Sequence, residues 1–336
     1  MRLRSIVCAI VLLSASHAVM SQTILTVSSW LQPTHTLSVS QKKWCEALEK
    51  ESNSSLKCNI LPKAVAAPPG TFDAVRDGMA DVSYTVDGYT PGRFIFTKLA
   101  EFPFQGESAI DNSIAYTRIY QKYFAPLKEH RGVKVLGVFT QGPGKIYTTK
   151  VPATSSAEVA KLKFRSAAGN INDLAKAMGW STALKPATEV FELLSTGIVD
   201  GAFFTDESVA SFKLNMIKHS TTFPGGLYNV SFVFMMNPDK YKSLSTEHKA
   251  IVDRLSGEYV ARLFGQGWDD ADKHAREGAL KEQGVQFHPA DQAFINEIKV
   301  KQALLEDNWA AQAESKGLKN AKAILSEFRG EIAKLK

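Results

Sequence analysis

The chain has few cysteines and lacks the short motifs that mark common catalytic or metal sites. Only two of its three cysteines lie beyond residue 21, and they do not form a C-x-x-C pair. Its seven histidines are dispersed without the spacing of a zinc site. Neither the G-x-S-x-G elbow nor the H-E-x-x-H motif occurs. We therefore predict no metal and no cofactor, and find no positive sign of an enzyme.

The excess of positive over negative charge is also small. Forty Lys and Arg oppose 34 Asp and Glu, for a net charge of +6, and the chain has no run of five basic residues. Without Arg2 and Arg4 the balance is 38 − 34 = +4. Such a scattered excess argues against nucleic-acid binding and against a polybasic membrane contact. It favours only a weak attraction of anionic solutes.

Residues 1–21 have the pattern of a secretory signal peptide. Arg2 and Arg4 precede a short apolar core at residues 6–13, and small residues suited to cleavage follow at 14–21. The apolar core is too short to span a membrane, and no later stretch approaches the necessary length. We predict an exported, periplasmic protein that begins near residue 19 or 22.

The two remaining cysteines, Cys45 and Cys58, fall on a predicted helix and a predicted strand. Both thiols point toward the same helix–sheet interface if these elements pack together. Export favours a disulfide between them. Two buried free thiols are the alternative, because the helix and the strand could be too far apart for a bridge.

Strands and helices alternate between residues 161 and 206. We predict strands at 162–165, 182–184 and 198–204, with helices at 170–178 and 189–195 between them. This order is typical of crossover units on a mostly parallel sheet, where ligands bind beyond the carboxyl ends of the strands. Arg165 lies at such an end. An arginine there is either solvated, held in a structural ion pair, or a fork that grips a carboxylate with two parallel hydrogen bonds.

Residues 72–83 and 191–202 share one outline, a helix followed by a glycine, two residues, an aspartate and a strand. The two copies are offset by 197 − 78 = 119 positions. This repeat predicts two lobes of similar plan, each with a strand end at a shared cleft. The alternative is that helix–glycine–strand is a common local combination that implies no relation between the copies.

Together these segments resemble the solute-binding proteins of TRAP (tripartite ATP-independent periplasmic) transporters. The resemblance rests on LKFR at 162–165, MG at 178–179, PATEVF at 186–191 and GIVDG at 197–201, and it extends from residue 23 to 317. It implies an α/β, two-lobed periplasmic-binding-protein-like fold with a ligand cleft between the lobes and a long C-terminal helical region. It also implies capture of a small organic carboxylate, held by Arg165, and delivery to TRAP membrane permease subunits.

We predict that lobe 1 spans residues 22–139 and lobe 2 spans 140–230. Residues 231–336 would then supply a crossing strand and long C-terminal helices. A helical region from 245 to about 283 carries Arg254, Asp269, Asp270, Asp272 and His274. We interpret these charged residues as a solvated helix face rather than a metal site.

Several residues beside Arg165 are candidates for the ligand site. Trp30 follows the first strand and offers a stacking surface, although a core tryptophan is the commoner outcome. Lys145 is the nearest match to a second basic contact that the TRAP family often has, and a helix that begins at Glu207 would favour an anion at its N-terminus. The full set of predicted site residues is Arg165, Trp30, Tyr89, Phe204, Lys145, Glu207, Tyr228 and Asn229.

Trp30, Tyr89 and Phe204 favour a ligand that has an apolar or ring portion. The pattern does not choose among a dicarboxylate, a keto acid, pyroglutamate and an aromatic acid. An exported sensor or chemoreceptor partner using the same cleft is the alternative function, and an exported enzyme on this scaffold is a third.

Overall fold

A computed structural model describes residues 22–336, so the predicted signal peptide lies outside the described part of the chain. The strands are β1 Thr23–Val27, β2 Leu56–Ile60, β3 Val82–Val86, β4 Lys134–Thr140, β5 Lys145–Thr148, β6 Lys163–Ser166, β7 Ser181–Leu184, β8 Gly201–Phe204, β9 His219–Thr222, β10 Ser231–Met236 and β11 Gln286–Pro289. The helices are α1 Thr36–Glu51, α2 Thr71–Arg76, α3 Ala109–Ile119, α4 Ser156–Val159, α5 Asn170–Ala177, α6 Val190–Ser195, α7 Asp206–Ser211, α8 Pro238–Ser243, α9 Thr246–Arg254, α10 Glu258–Glu277, α11 Ala279–Glu282, α12 Gln292–Ser315 and α13 Ala321–Leu335.

The strands form two sheets, which define two lobes. The first lobe is built on the sheet β2-β1-β3-β10-β4, and the second lobe on the sheet β11-β9-β5-β8-β6-β7. The chain crosses to the second lobe between β4 and β5 and returns between β9 and β10. The predicted two-lobed α/β fold is confirmed. Because β11 joins the second sheet from the C-terminal part of the chain, the exact domain limits stay a prediction.

The strand β10 shows why the first sheet is buried on both faces. It pairs antiparallel with β3 on one side and β4 on the other, so it has no free edge. Its side chains alternate, with Phe232, Phe234 and Met236 in one apolar cluster and Val233 and Met235 in another. A strand covered on both faces appears in the sequence as a continuous apolar run, here SFVFMM.

The two copies of the internal repeat have the same local geometry. Gly78 and Gly197 both have positive φ, 78° and 70°, which ends the preceding helix as only glycine does without strain. Three residues later, the Asp81 carboxylate accepts a hydrogen bond from the Thr26 amide in the neighbouring strand β1. The Asp200 carboxylate accepts one from the Lys163 amide in β6 in the same way. The repeat therefore builds the same strand pair in each lobe.

The long helical region differs from its prediction in two ways. It is three helices, α9 to α11, because Gly257 and Gly278 interrupt it. In addition, Asp269 and Asp272 are only partly exposed, and their carboxylates bind backbone amides. Asp269 accepts hydrogen bonds from the Ala109 and Ile110 amides at the start of α3, and Asp272 accepts one from the Glu207 amide at the start of α7. Unpaired amides at helix N-termini attract such carboxylates.

Two of the C-terminal helices connect the lobes. The 20-residue helix α10, about 30 Å long, contacts α1 and α3 of the first lobe and α7 of the second. The helix α12 contacts α5 of the second lobe and residues 96–101 of the first. In residues 22–336 no helix combines the length and the apolar character that a membrane crossing requires.

Cys45 on α1 and Cys58 on β2 form a disulfide, with their Cα atoms 5.7 Å apart. This resolves the choice between a bridge and two thiols that the sequence left open. The bridge closes a short loop, because the cysteines are 13 positions apart.

Replacing both cysteines by alanine should lower the free energy of unfolding. A loop of this length loses about 3 kcal/mol of stabilisation when its cross-link is removed. Urea unfolding of the oxidised protein and the double variant measures the difference. Equal stability, together with full thiol labelling of the denatured, unreduced protein, would contradict the bridge.

Candidate functional site

A cavity lies between the two lobes, and water-sized molecules can occupy about 30 Å³ of it. Its lining comes from the first lobe, the second lobe, both crossing segments and α10. It is predominantly apolar, which is typical of small-molecule sites. Seven aromatic side chains line it: Trp30, Tyr89, Phe204, Phe212, Tyr228, Phe232 and Trp268.

Arg165 is the one fixed positive charge that lines this cavity within residues 22–336. Its side chain is 1% exposed, and its Nε donates a hydrogen bond to the Lys185 carbonyl at 2.9 Å. The guanidinium carbon lies 4.8 Å from the centre of the Phe204 ring, a cation–π contact. The Nη2 atom is buried without a hydrogen-bond partner, and no carboxylate in the described chain pairs with Arg165. Arg165 is therefore neither solvated nor part of a structural ion pair.

Burial shifts the pKa values of two other ionisable groups, His35 and Glu207, toward their neutral forms. Burial lowers the pKa of His35, which lines the cavity, to about 3, so this imidazole is neutral at pH 7. Burial also raises the pKa of Glu207 to about 7. The 3.4 Å contact between His35 Nε2 and a Glu207 oxygen is thus a contact of a neutral imidazole, not an ion pair. The positive charge of Arg165 is left without compensation.

The aromatic walls are held in place by hydrogen bonds. The indole Nε1 of Trp30 donates to the Tyr84 carbonyl at 3.0 Å, and the Tyr89 hydroxyl accepts from the Ala187 amide at 3.1 Å. The Trp30 and Tyr89 rings meet edge to face with centroids 6.0 Å apart. These bonds fix the Trp30 and Tyr89 side chains in the cavity wall, and the second of them joins the two lobes.

Further bonds between the lobes show that they are closed over the cavity. On one side, the Thr36 amide donates to Glu207 at 3.3 Å. On the other, the Asn170 amide donates to Glu101 at 2.9 Å. Burial raises the pKa of Glu101 to about 7, and the hydrogen bond from the Ser231 hydroxyl opposes that rise. These contacts hold the two lobes together.

The structure brings five of the predicted site residues together around this cavity. They are Trp30, Tyr89, Arg165, Phe204 and Tyr228. Trp30 follows β1, and Arg165 is the next-to-last residue of β6. Both strands are parallel to a neighbour, and their carboxyl ends are where the sheet topology favours ligand contacts.

Three predicted residues lie outside the cavity lining. The Lys145 ammonium pairs with the buried Asp206 carboxylate, which also accepts from the Tyr147 hydroxyl. Glu207 is bonded to Thr36 and Ser208 behind the cavity wall. The Asn229 amide, in the orientation that satisfies its partners, donates to the backbone of residues 141 and 142. Each of these groups has a protein partner that accounts for its position.

The N-terminus of α7 does not present free amides to the cavity. Its Glu207 amide donates to Asp272, and its Ser208 amide donates to the side chain of Thr205. The helix also begins at Asp206, so its own carboxylates occupy the positive end. The predicted anion site at this helix is thus taken by side chains of the protein.

Sequence reasoning missed several lining residues, notably Gln141, Phe212 and Trp268. Trp268 had a signal, since Val260, Phe264 and Trp268 recur every four residues and mark a buried face of α10. Gln141 had none, because it belongs to a crossing segment without regular structure.

Two α/β lobes that enclose a cavity with a single buried cation define a two-lobed solute-binding protein. Residues 27–312 match the family model for bacterial extracellular solute-binding protein, family 7, named DctP. The chain belongs to this family, and its resemblance to the solute-binding proteins of TRAP transporters is confirmed.

Solved structures of this kind superpose over almost the whole chain. A TRAP periplasmic solute-binding protein from Bordetella bronchiseptica, with bound (R)- and (S)-mandelate, is 41% identical with a TM-score of 0.90, over 94% of this chain and all of that one. A marine-metagenome TRAP protein specific for aromatic acid ligands, in complex with metahydroxyphenylacetate, is 32% identical with a TM-score of 0.86, over 93% and 99%.

One curated relative is named as a transporter protein rather than as a solute-binding protein. The outer membrane transporter protein TsaT of Comamonas testosteroni is 27% identical over 87% of this chain and 86% of its own length.

Lys145→Met tests whether Lys145 is structural or binds a ligand. The substitution removes the closer of the two cations beside the buried Asp206 carboxylate and leaves only Arg276, at 4.0 Å. Breaking a buried pair costs about 3–5 kcal/mol. We expect a clear fall in the melting temperature of the unliganded protein, with ligand affinity changed less than about threefold. Thermal melting and calorimetric titration with an organic acid measure the two effects. Normal melting with a large loss of affinity would instead place Lys145 in the binding site.

Proposed function

We propose that this protein captures a small aromatic monocarboxylate in the cavity between its lobes and delivers it to a TRAP membrane permease. The observation that carries this proposal is the Arg165 guanidinium, buried with an unpartnered Nη2 in a cavity walled by aromatic side chains. Residues 1–21, with their signal-peptide pattern, favour action in the periplasm.

The state of Arg165 favours a carboxylate over a neutral ligand. A buried cation without a partner is costly, since it has lost its hydration and gained no counter-charge. A carboxylate would supply both the charge and acceptors for the free guanidinium N–H groups. A neutral sugar or amide would leave the cation uncompensated.

The rest of the lining favours a single negative charge and a ring. Within the described residues Arg165 alone supplies a fixed cation to the cavity, so a second carboxylate would be buried unpaired. The Trp30, Tyr89 and Phe204 rings offer flat surfaces that an aromatic ligand can contact edge to face or in offset stacks. Mandelate and metahydroxyphenylacetate, bound by the two relatives, have this combination of one carboxylate and one ring.

A panel of organic acids tests the ligand class. We expect benzoate, mandelate and 3-hydroxybenzoate to raise the melting temperature, and succinate to have little effect. A ligand at a hundred times its dissociation constant stabilises by about 2.7 kcal/mol. Stabilisation by succinate alone would contradict the proposal. Chromatography of the ligand after incubation serves as the control for catalysis, because a binding protein returns it unchanged whereas an enzyme does not.

Arg165→Ala tests whether the buried Arg165 guanidinium binds the ligand's carboxylate. Removing one partner of a buried charge pair costs about 2–5 kcal/mol, so affinity for a binding aromatic acid should fall by two orders of magnitude or more. Arg165→Lys should recover only part of it, because an ammonium cannot form the two parallel hydrogen bonds. Calorimetric titration measures both.

The stability of the unliganded variants separates binding from folding. Since Arg165 has no carboxylate partner in the described chain, its removal should leave the melting temperature unchanged or raise it. Arg131→Ala, at an exposed arginine that does not line the cavity, is the matched control and should bind normally. Near-normal affinity in Arg165→Ala would exclude the assignment.

Delivery to a permease is tested separately from binding. Genes for small and large membrane subunits beside this one, and ligand uptake by vesicles that contain those subunits only when this protein is added, are the expected results. Binding without stimulated uptake would favour the sensor function.

A further inference from the structure

We propose that Gln141 is a second ligand-binding group, which donates its amide N–H to an acceptor oxygen on the carbon beside the ligand's carboxylate. The cavity would then select aromatic acids with an α-hydroxyl or α-oxo group over acids unsubstituted at that carbon. This inference rests on the proposed function and names the ligand class more closely.

The position of Gln141 is fixed by the crossing segments. Gln141 directly follows β4, and its backbone N–H donates to the Val230 carbonyl at 3.3 Å. This bond connects the two crossing segments. The carbonyls of residues 141 and 142 accept hydrogen bonds of 3.0 Å from the Asn229 amide. Both Gln141 and Val230 line the cavity. The side chain of Gln141 therefore projects from a restrained backbone rather than from a free loop.

Gln141 and Arg165 occupy the same corner of the cavity. Tyr228, which also lines the cavity, lies close to both. Burial raises the pKa of the Tyr228 hydroxyl, while the charge of the Arg165 guanidinium and a hydrogen-bonding interaction with the Gln141 side chain oppose this rise. A ligand carboxylate on Arg165 would thus place its α-carbon, rather than its ring, nearest to Gln141.

The unsatisfied groups of the lining have one chemical character. Gln141 is 5% exposed, and apart from the interaction with Tyr228 its Nε2 has no hydrogen-bond partner of normal geometry in the described chain. The other buried, unpartnered side-chain atoms of the lining are Arg165 Nη2 and Trp268 Nε1, so all three are N–H donors. The ligand that satisfies them must bring acceptor oxygens beyond those that Arg165 can engage.

A site that hydrogen-bonds a substituent discriminates strongly against ligands that lack it. An analogue without the acceptor leaves the buried donor unpaired, and the site loses both the bond and the hydration of that donor. Because a donor requires only an acceptor, a hydroxyl and an oxo group should serve equally well.

Three acids with the same ring and carboxylate isolate the α-carbon. These are mandelate with a hydroxyl, phenylglyoxylate with an oxo group, and phenylacetate with neither. We expect the unaltered protein to bind the first two at least tenfold more tightly than phenylacetate. In Gln141→Leu, which keeps the side-chain size and removes the donor, affinity for the first two should fall about tenfold or more, and affinity for phenylacetate should change less than threefold.

Gln266→Leu is the matched control, because Gln266 is an exposed glutamine bonded to Asp270 and does not line the cavity. It should bind all three acids normally. Unliganded melting of Gln141→Leu should match or exceed that of the unaltered protein, since the variant loses a buried donor without a partner.

The outcomes separate this inference from the proposed function. The inference is overturned if phenylacetate binds the unaltered protein as tightly as mandelate does. It is also overturned if Gln141→Leu lowers the affinity for all three acids equally, because Gln141 then does not recognise the substituent on the α-carbon. If the unaltered protein binds mandelate tightly but phenylglyoxylate no more tightly than phenylacetate, the role of Gln141 as a hydrogen-bond donor is overturned. Failure of benzoate, phenylacetate and the other aromatic acids to bind at all would overturn the proposed function, and this inference with it.

Discussion

The structure depends on a buried positive charge that the protein itself does not neutralise. Arg165 is held by a hydrogen bond from its Nε to the Lys185 carbonyl and by the face of the Phe204 ring, and neither contact supplies a negative charge. Nearby Glu207 is bonded to the backbone of Thr36, and its raised pKa keeps it from serving as a full counter-ion. The closed lobes thus preserve an uncompensated cation that an anionic solute can neutralise.

The internal repeat explains how one chain builds opposite walls around that charge. In each lobe a glycine with positive φ ends a helix, and an aspartate three residues later fixes a neighbouring strand by accepting its amide. The strand fixed in this way in the first lobe is β1, and Trp30 follows it. The strand fixed in the second lobe is β6, and Arg165 lies next to its last residue. One local plan therefore supplies a stacking surface from the first lobe and a cation from the second.

The sequence could predict what depends on short-range pattern. Alternating strands and helices and the two glycine–aspartate motifs predicted the two lobes and placed Arg165 near a strand end, and the resemblance to the TRAP family supplied its proposed role. It could not predict where a charge finds its partner across the fold. Lys145 pairs with Asp206, 61 positions away, and Asp272 binds the start of α7, 65 positions away. Gln141 lies in a crossing segment whose only local signal is its glycines and proline.

Closure and binding follow from the same electrostatics. Among the bonds that join the lobes, the partly exposed Lys98–Asp173 pair contributes at most about 1 kcal/mol. Without a solute, closing the lobes removes Arg165 from water and leaves its Nη2 unpartnered, so closure works against the hydration of a charge. A carboxylate reverses that balance, because the closed cavity then holds a neutral pair in surroundings of low dielectric constant, where the attraction is strongest. The solute stabilises the closed form by this difference together with its ring contacts, and reopening must hydrate both charges before the solute can leave.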